Sequence, residues 1–421
     1  MKAPTVPCAP PTMPPGSSRD KRLLLATRFF RSVGQGVLAA DFALYLRACG
    51  WSGAHIGSVL GAALVLSVLL TLFATASDRI GRKPFLLGYE SLYACCSLAA
   101  WWHPSAGVLA VAAIGAGFGR GANGAAGPFG AIEKAWLTQG LDRPAWTRLL
   151  ARNSTVGFAG MAIGALAGSL PGQGAAAHAP GAYAAMFPLA LGCSVICLVC
   201  LSMTRDGHRH EAVVDAPEAR RTERRNLRRL GLVNLLQGMG IGLSGPLVSY
   251  WFAVRFGVGP SLVGPMMAGG FVAAALSAQV SGVLGARLGL MRTIVALRLG
   301  ALALLVFMPL APSLPLAVLA YLLHKTLNRG TDGLRASITA GLVGNRRRGL
   351  AGAVSSVSRQ IPRSFGPLLA GMLMDQGLLA APFLAGAAFQ AAYLYLYRRS
   401  FDDAARDAGD LPRPLPQASG T

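Results

Sequence analysis

The chain has 421 residues and 39 Lys and Arg against 17 Asp and Glu, a formal net charge of +22, yet 53% of it is hydrophobic. Only 13% is charged, where a soluble enzyme of this length has about a quarter, and the mean hydropathy is +0.48. The apolar residues gather in about twelve stretches near the ~20 residues that cross a bilayer. So many long apolar segments could not all be buried in one soluble core, so the chain reads as an all-α multi-pass membrane protein.

Residues 1–22 are Pro-rich and polar, with no continuous apolar core, and read as a disordered tail rather than a signal peptide. Span 1 (23–46) carries Arg28, Arg31 and Asp41. Span 2 (54–76) leads into Ala74-Thr75-Ala76-Ser77-Asp78-Arg79-Ile80-Gly81-Arg82-Lys83. Span 3 (84–102) holds Glu90. Span 4 (106–128) holds Arg120-Gly121-Ala122-Asn123-Gly124, followed by Glu133. Span 5 (148–171) has Gly160, Gly164 and Gly168 at fourfold spacing, which lets helices touch closely. Span 6 (182–204) carries Cys193, Cys197 and Cys200. No His or carboxylate stands near them, so we read packing rather than a metal site, and no cofactor is expected. A charged linker (205–229) follows. Span 7 (230–252) carries Asn234 and Gln237, span 8 covers 260–283, and span 9 (291–310) holds Arg298. Span 10 (314–337) holds Lys325, Arg329, Asp332 and Arg335. Span 11 (352–374) has Arg359, Arg363 and Gly366-Pro367, span 12 covers 379–398, and a second tail covers 400–421.

The positive charge is placed by side. With the N-terminus in the cytoplasm, 28 of the 39 Lys and Arg fall in cytoplasmic segments and two, Arg47 and Arg255, in outer loops. That is the positive-inside bias; it puts both termini in the cytoplasm of an inner (plasma) membrane and argues against nucleic acid as the partner. The other nine lie within spans, where charge is costly and usually functional.

One pattern occurs twice. Arg120-Gly-Ala-Asn-Gly124 returns as Arg329-Gly-Thr-Asp-Gly333, an offset of 209; Arg79 returns as Arg287 and Gly81 as Gly289 at 208; Gly34-Gln-Gly36 returns as Gly240-Ile-Gly242 at 206. A nearly constant shift suggests two fused copies, residues 23–204 and 230–399. Parallel repeats of this kind usually enclose a substrate site at their interface.

Ala74 to Lys83 resembles motif A of the major facilitator superfamily, Gly-x-x-x-Asp-Arg-x-Gly-Arg-Arg/Lys, with Ala74 in place of the first Gly. Arg120 to Gly124 resembles motif B of that family's drug/proton antiporters, with Asn123 for Gln, and Gly160 to Gly168 is a degenerate form of the antiporter glycine motif, with Ala165 for Pro. The resemblance implies the major facilitator fold: twelve transmembrane helices in two pseudo-symmetric six-helix bundles. It implies a cytoplasmic latch through Asp78, Arg79, Gly81, Arg82 and Lys83, with Arg82 meeting Glu133. It also implies a central cavity lined by spans 1, 4, 7 and 10.

On those spans Arg31, Arg120, Asn234, Gln237, Lys325 and Arg329 are candidate substrate ligands, since Arg binds carboxylates bidentately. Arg28 could instead snorkel to the interface, Arg359 could be interfacial, and Glu90 and Arg298 read as structural pairing residues. Asp332 and then Asp41 are candidate proton carriers, although Asp332 could simply pair with Arg329 or Arg335. The expected activity is proton-coupled efflux of a small organic, anionic compound by a monomer in the bilayer. A proton-coupled importer of an organic anion, or a transporter-like sensor or lipid-handling protein, are the alternatives. No His-Glu-x-x-His, Gly-x-Ser-x-Gly or P-loop is present, so an enzyme is not expected.

Overall fold

The computed structural model describes residues 18–73, 81–119, 127–137, 143–170, 179–183, 185–204, 221–341 and 348–409. Among them all regular structure is helical: α1 (Ser18–Ala48), α2 (Gly53–Phe73), α3 (Arg82–Trp102), α4 (Ala106–Ala116), α5 (Gly127–Leu137), α6 (Arg143–Ser169), α7 (Met186–Ser202), α8 (Arg221–Ser244), α9 (Val248–Phe256), α10 (Pro260–Leu288), α11 (Leu290–Leu310), α12 (Leu314–Gly341), α13 (Arg348–Asp375) and α14 (Ala381–Gly409). A short 3-10 turn, Pro180–Tyr183, precedes α7.

Most helix ends fall within a few residues of the apolar stretches. Span 4 is one exception: expected over 106–128, its helix α4 ends at Ala116, where Gly117 takes a left-handed φ of 73. The others also have physical causes. Helix α8 begins inside the expected linker, because Arg and Leu are good helix formers and residues outside the apolar slab need only propensity. Helix α14 likewise runs on to Gly409. Span 7, expected to be continuous, is broken at Gly245-Pro246-Leu247: Pro246 has no N–H to offer the preceding turn, and the ladder resumes with Trp251 N donating to Leu247 O at 2.8 Å.

The outside is apolar and the inside is charged. Val111, Leu276 and Val280 are 63–70% exposed, whereas Arg31, Asp41, Glu90, Arg298 and Arg335 are at most 5% exposed. That inversion is what a hydrocarbon solvent demands, and the chain is a multi-pass membrane protein. Five of the described segments are long and apolar enough to cross a membrane by length and composition, among them Gly53–Thr71, Pro260–Leu288 and Leu290–Leu310. Helix α12 is as long, but His324, Lys325, Asn328 and Arg329 make it less apolar than those segments, and the fold buries part of its charge.

Matching details recur between α1–α7 and α8–α14. Gly81 (φ 109) and Gly289 (φ 88) both turn the chain into a helix in a backbone conformation that only glycine adopts easily, 208 residues apart. Helix α1 packs on α6 and α8 packs on α13 through glycines. A methyl group at Gly160 would stand 2.6 Å from the Phe29 carbonyl oxygen, and one at Gly242 would stand 2.5 Å from that of Arg363.

The two ends of the molecule differ. At the end holding the last residues of α1 and the first of α2, one hydrophobic core runs through both halves, joining Leu38, Phe42 and Phe118 to Trp251, Phe252 and Phe383. At the opposite, terminal end each half has a core of its own. One is built on Leu24, Leu86, Phe129 and Leu201, the other on Leu230, Ile294, Ile338 and Tyr397. The halves therefore share a core at the far end, and among the described residues no hydrophobic core joins them at the terminal end. The far-end join includes Asp375 at the end of α13, whose two carboxylate oxygens accept from Gly53 N (2.7 Å) and Ala54 N (2.8 Å) at the start of α2.

Candidate functional site

Helix α12 carries most of the candidate site. Turns of 3.6 residues stack Tyr321, Lys325 and Arg329 along one face. They line a cleft with Phe158 of α6 and Phe271 and Ala274 of α10, so both halves contribute to it. A second cleft meets it at Tyr321 and Lys325 and continues into the C-terminal half, past Ser244 and Val248 at the break in span 7, to His324 and Asn328. The Lys325 ammonium lies 5.3 Å from the Tyr321 ring centroid, a cation–π contact. His324 Nδ1 bonds the Ala301 carbonyl at 2.7 Å; a carbonyl only accepts, so Nδ1 carries the proton.

Toward the terminal end, Asp332 is met by three guanidiniums at loose distances: Arg329 Nη1 at 3.3 Å, Arg335 Nη1 at 3.7 Å and Arg298 Nη2 at 3.9 Å. Arg359 is in electrostatic reach of the same carboxylate. Asp332 is 45% exposed and Arg329 27%, so this group is accessible from outside the packed core.

Other expected ligands are placed elsewhere. Arg31 Nη1 donates to Glu90 Oε2 at 2.8 Å, with both side chains almost fully buried, and its guanidinium lies 3.8 Å from the Phe129 ring centroid; it ties α1 to α3 and α5. Asn234 Nδ2 donates to Ser355 Oγ at 3.2 Å, and Gln237 Oε1 accepts from Arg335 Nη2 at 2.6 Å; these tie α8 to α13 and α12. Arg120 lies outside the described residues. Asp41 is buried against Gly168, and among the described residues neither carboxylate oxygen has a hydrogen-bond partner.

Of the expected latch, Asp78 and Arg79 lie outside the described residues. Gly81 makes the turn into α3, and Arg82 is that helix's first residue. Lys83 Nζ donates to the Ser202 and Thr204 carbonyls at 2.8 and 2.7 Å, a cation on the C-terminus of α7. Glu133 is buried on α5 within electrostatic reach of Arg28 and Arg31. Among the described residues no group of His, Cys, Asp and Glu could hold a metal ion.

No protein-family model and no curated protein matches the chain. Solved structures do. The nucleoside transporter NupG superposes with a TM-score of 0.69 at 12% identity, over 91% of this chain and 99% of that one. A bacterial homologue of the human lysosomal transporter Spinster, in an inward-facing and unoccupied conformation, gives 0.70 at 15%, over 93% and 99%. The human organic anion transporter MFSD10 (TETRAN) gives 0.62 at 17%, over 90% and 98%. The chain has the major facilitator fold. Its coverage of those chains is nearly complete, so the shared fold extends over almost the whole chain.

Sequence reasoning named Arg298, Arg335 and Arg359 one by one and did not see them as a group; the signal was three intramembrane Arg with one carboxylate among them. It missed Asp375, which stands one residue beyond the expected end of span 11.

Proposed function

We propose that the chain is a secondary transporter that moves a small organic anion across the membrane by alternating access. The observation that carries this reading is the cleft on α12. Lys325 and Arg329 stand there beside Arg363, between the two halves of a transporter fold. The partly buried cations there are matched by an anionic group, and Phe158, Phe271 and Tyr321 supply apolar surface for the remainder of an organic molecule; the cleft is narrow, with space for about one water, so a substrate enters it only as the halves move apart.

We place the terminal end in the cytoplasm, on the positive-inside bias. The separate cores at that end then correspond to an inward-facing state, and Asp375 on α2 is a bond that holds the outer side shut. Opening outward breaks that contact and closes the cytoplasmic side through the motif Asp78 to Lys83.

Coupling to protons is assigned to Asp41 ahead of Asp332, a reversal of the order expected from sequence. Asp332 already faces guanidiniums. Asp41 is enclosed without a donor or cation in hydrogen-bond contact; an isolated buried carboxylate is costly, and taking up a proton removes the charge. Efflux is the direction proposed, as proton antiport, on the antiporter-like motifs of spans 4 and 5. The test is uptake of a panel of radiolabelled organic anions into proteoliposomes with the proton gradient imposed in each direction. Accumulation driven by one direction only supports the reading. Gradient-independent, non-saturable entry of every anion overturns it.

A further inference from the structure

The two halves handle intramembrane charge differently at their terminal ends. In the first half Arg28 and Arg31 are balanced by Glu90 and Glu133. In the second, the equivalent positions on α8 are the neutral Asn234 and Gln237, and the position of Glu90 is taken by Arg298. Arg298, Arg329 and Arg335 converge there on one carboxylate, Asp332, with Arg359 in electrostatic reach of it. Four positive charges against one is a costly arrangement in a membrane.

Each of three guanidiniums is also fixed by something other than Asp332. Arg335 donates through Nη2 to Gln237 Oε1 at 2.6 Å, Arg298 through Nε to Thr331 Oγ1 at 2.9 Å, and Arg359 through Nε to the Ser355 carbonyl at 2.9 Å. Arg298 and Arg335 also lie 5.6 and 5.2 Å from the Tyr393 ring centroid. The neutral partners set the directions of the side chains. One buried donor is left over: Arg298 Nη1 makes no hydrogen bond among the described residues although Arg298 is 4% exposed, while Arg335 also reaches the Tyr397 hydroxyl. Asp332 sits too far from Arg298 and Arg335 for a hydrogen bond. The cage is pre-aimed and too large for the carboxylate in it.

We propose that this cage is a second anion subsite, for an oxyanion carrying two negative charges, and that Asp332 is its internal stand-in when the site is empty. The inference rests on the anion-transport reading and extends it: the substrate carries one anionic group at Lys325 and a doubly charged oxyanion, such as a phosphoryl group, at the cage. An arriving dianion bridges Arg298, Arg335 and Arg359 and displaces the Asp332 carboxylate toward the cavity.

The test is calorimetric titration of the purified full-length protein with sulfate, acetate and chloride at matched ionic strength. Sulfate should bind more tightly than chloride. Asp332→Asn, which removes the competing anion, should tighten sulfate by about tenfold or more, and Arg359→Gln should weaken it by a similar factor, the size of one charge-assisted hydrogen bond. Acetate should depend on Lys325 and change less than about twofold in Arg359→Gln. Asp332→Asn is a gain-of-binding variant, so a folding defect cannot imitate the expected result. Sulfate that binds no better than chloride in both wild type and Asp332→Asn overturns the subsite, as does a weakening in Asp332→Asn. If acetate still binds through Lys325, only this inference falls. If no anion binds at all, the transport reading falls with it.

Discussion

Arg31 and Glu90 form a buried ion pair whose rupture has a calculable consequence. Glu90→Gln removes the charge facing Arg31 but leaves the guanidinium 3% exposed, with Nε and Nη2 already without hydrogen-bond partners. Breaking a buried pair on one side costs about 3–5 kcal/mol, because the surviving charge stays desolvated. Glu133, in electrostatic reach of Arg31, points to the lower end of that range. Replacing both partners by apolar residues of similar volume is instead often neutral. The double variant Arg31→Met, Glu90→Leu should therefore lie within about 1 kcal/mol of wild type. It loses the bond from Ser194 Oγ to Glu90 Oε1 but keeps the one to the backbone carbonyl at position 90. Equilibrium unfolding in mixed micelles, followed by tryptophan fluorescence, measures both. A double variant as unstable as the single one would refute the pairing argument. Transport adds a second readout: a stable double variant that still transports makes Arg31 a structural tie, and one that is stable but inactive makes it a substrate ligand.

The same geometry leads to three further expectations. Gly164→Leu should prevent folded protein from accumulating, because the side chain would be driven into the Val33 backbone of α1; detergent-extracted monomer in size-exclusion chromatography reports it. Asp375→Ala removes two hydrogen bonds at the start of α2 and should move the population by about 1–2 kcal/mol away from the state closed at the far end, seen as longer distances between spin labels on α2 and α13. Asp41→Asn should abolish proton-driven transport while sparing gradient-free counterflow, and Asp332→Asn should keep its proton dependence; the opposite pattern would return the proton to Asp332.

Much of the fold was legible because a bilayer imposes a length and a polarity on each element. Arg82–Trp102 and Leu290–Leu310 were marked almost to the residue by apolar runs between glycine turns. The ends of α8 and α14 were not, since nothing apolar marks where a helix stops in water. The break at Pro246 was written in the sequence as Gly-Pro but hidden inside an apolar run. The site was only half legible. Lys325 and Arg329 could be found from burial and spacing on one helix. Arg31 could not be separated from them, because its partner Glu90 is 59 residues away and only the fold, in which α7 packs against both α1 and α3, brings the two together. Likewise, Asp41 and Asp332 are both intramembrane carboxylates in sequence; what distinguishes them is that three guanidiniums surround one and none touches the other.

The central claim is that cations on α12 bind a transported anion. Counterflow in proteoliposomes tests it most directly, with organic anions, organic cations and uncharged sugars compared in wild type, Lys325→Ala and Arg329→Ala protein. The account predicts saturable counterflow of one or more organic anions in wild type, lost in both variants while the purified proteins keep their unfolding profile. Wild-type counterflow restricted to cations or sugars, or anion counterflow undiminished in both variants, would contradict it.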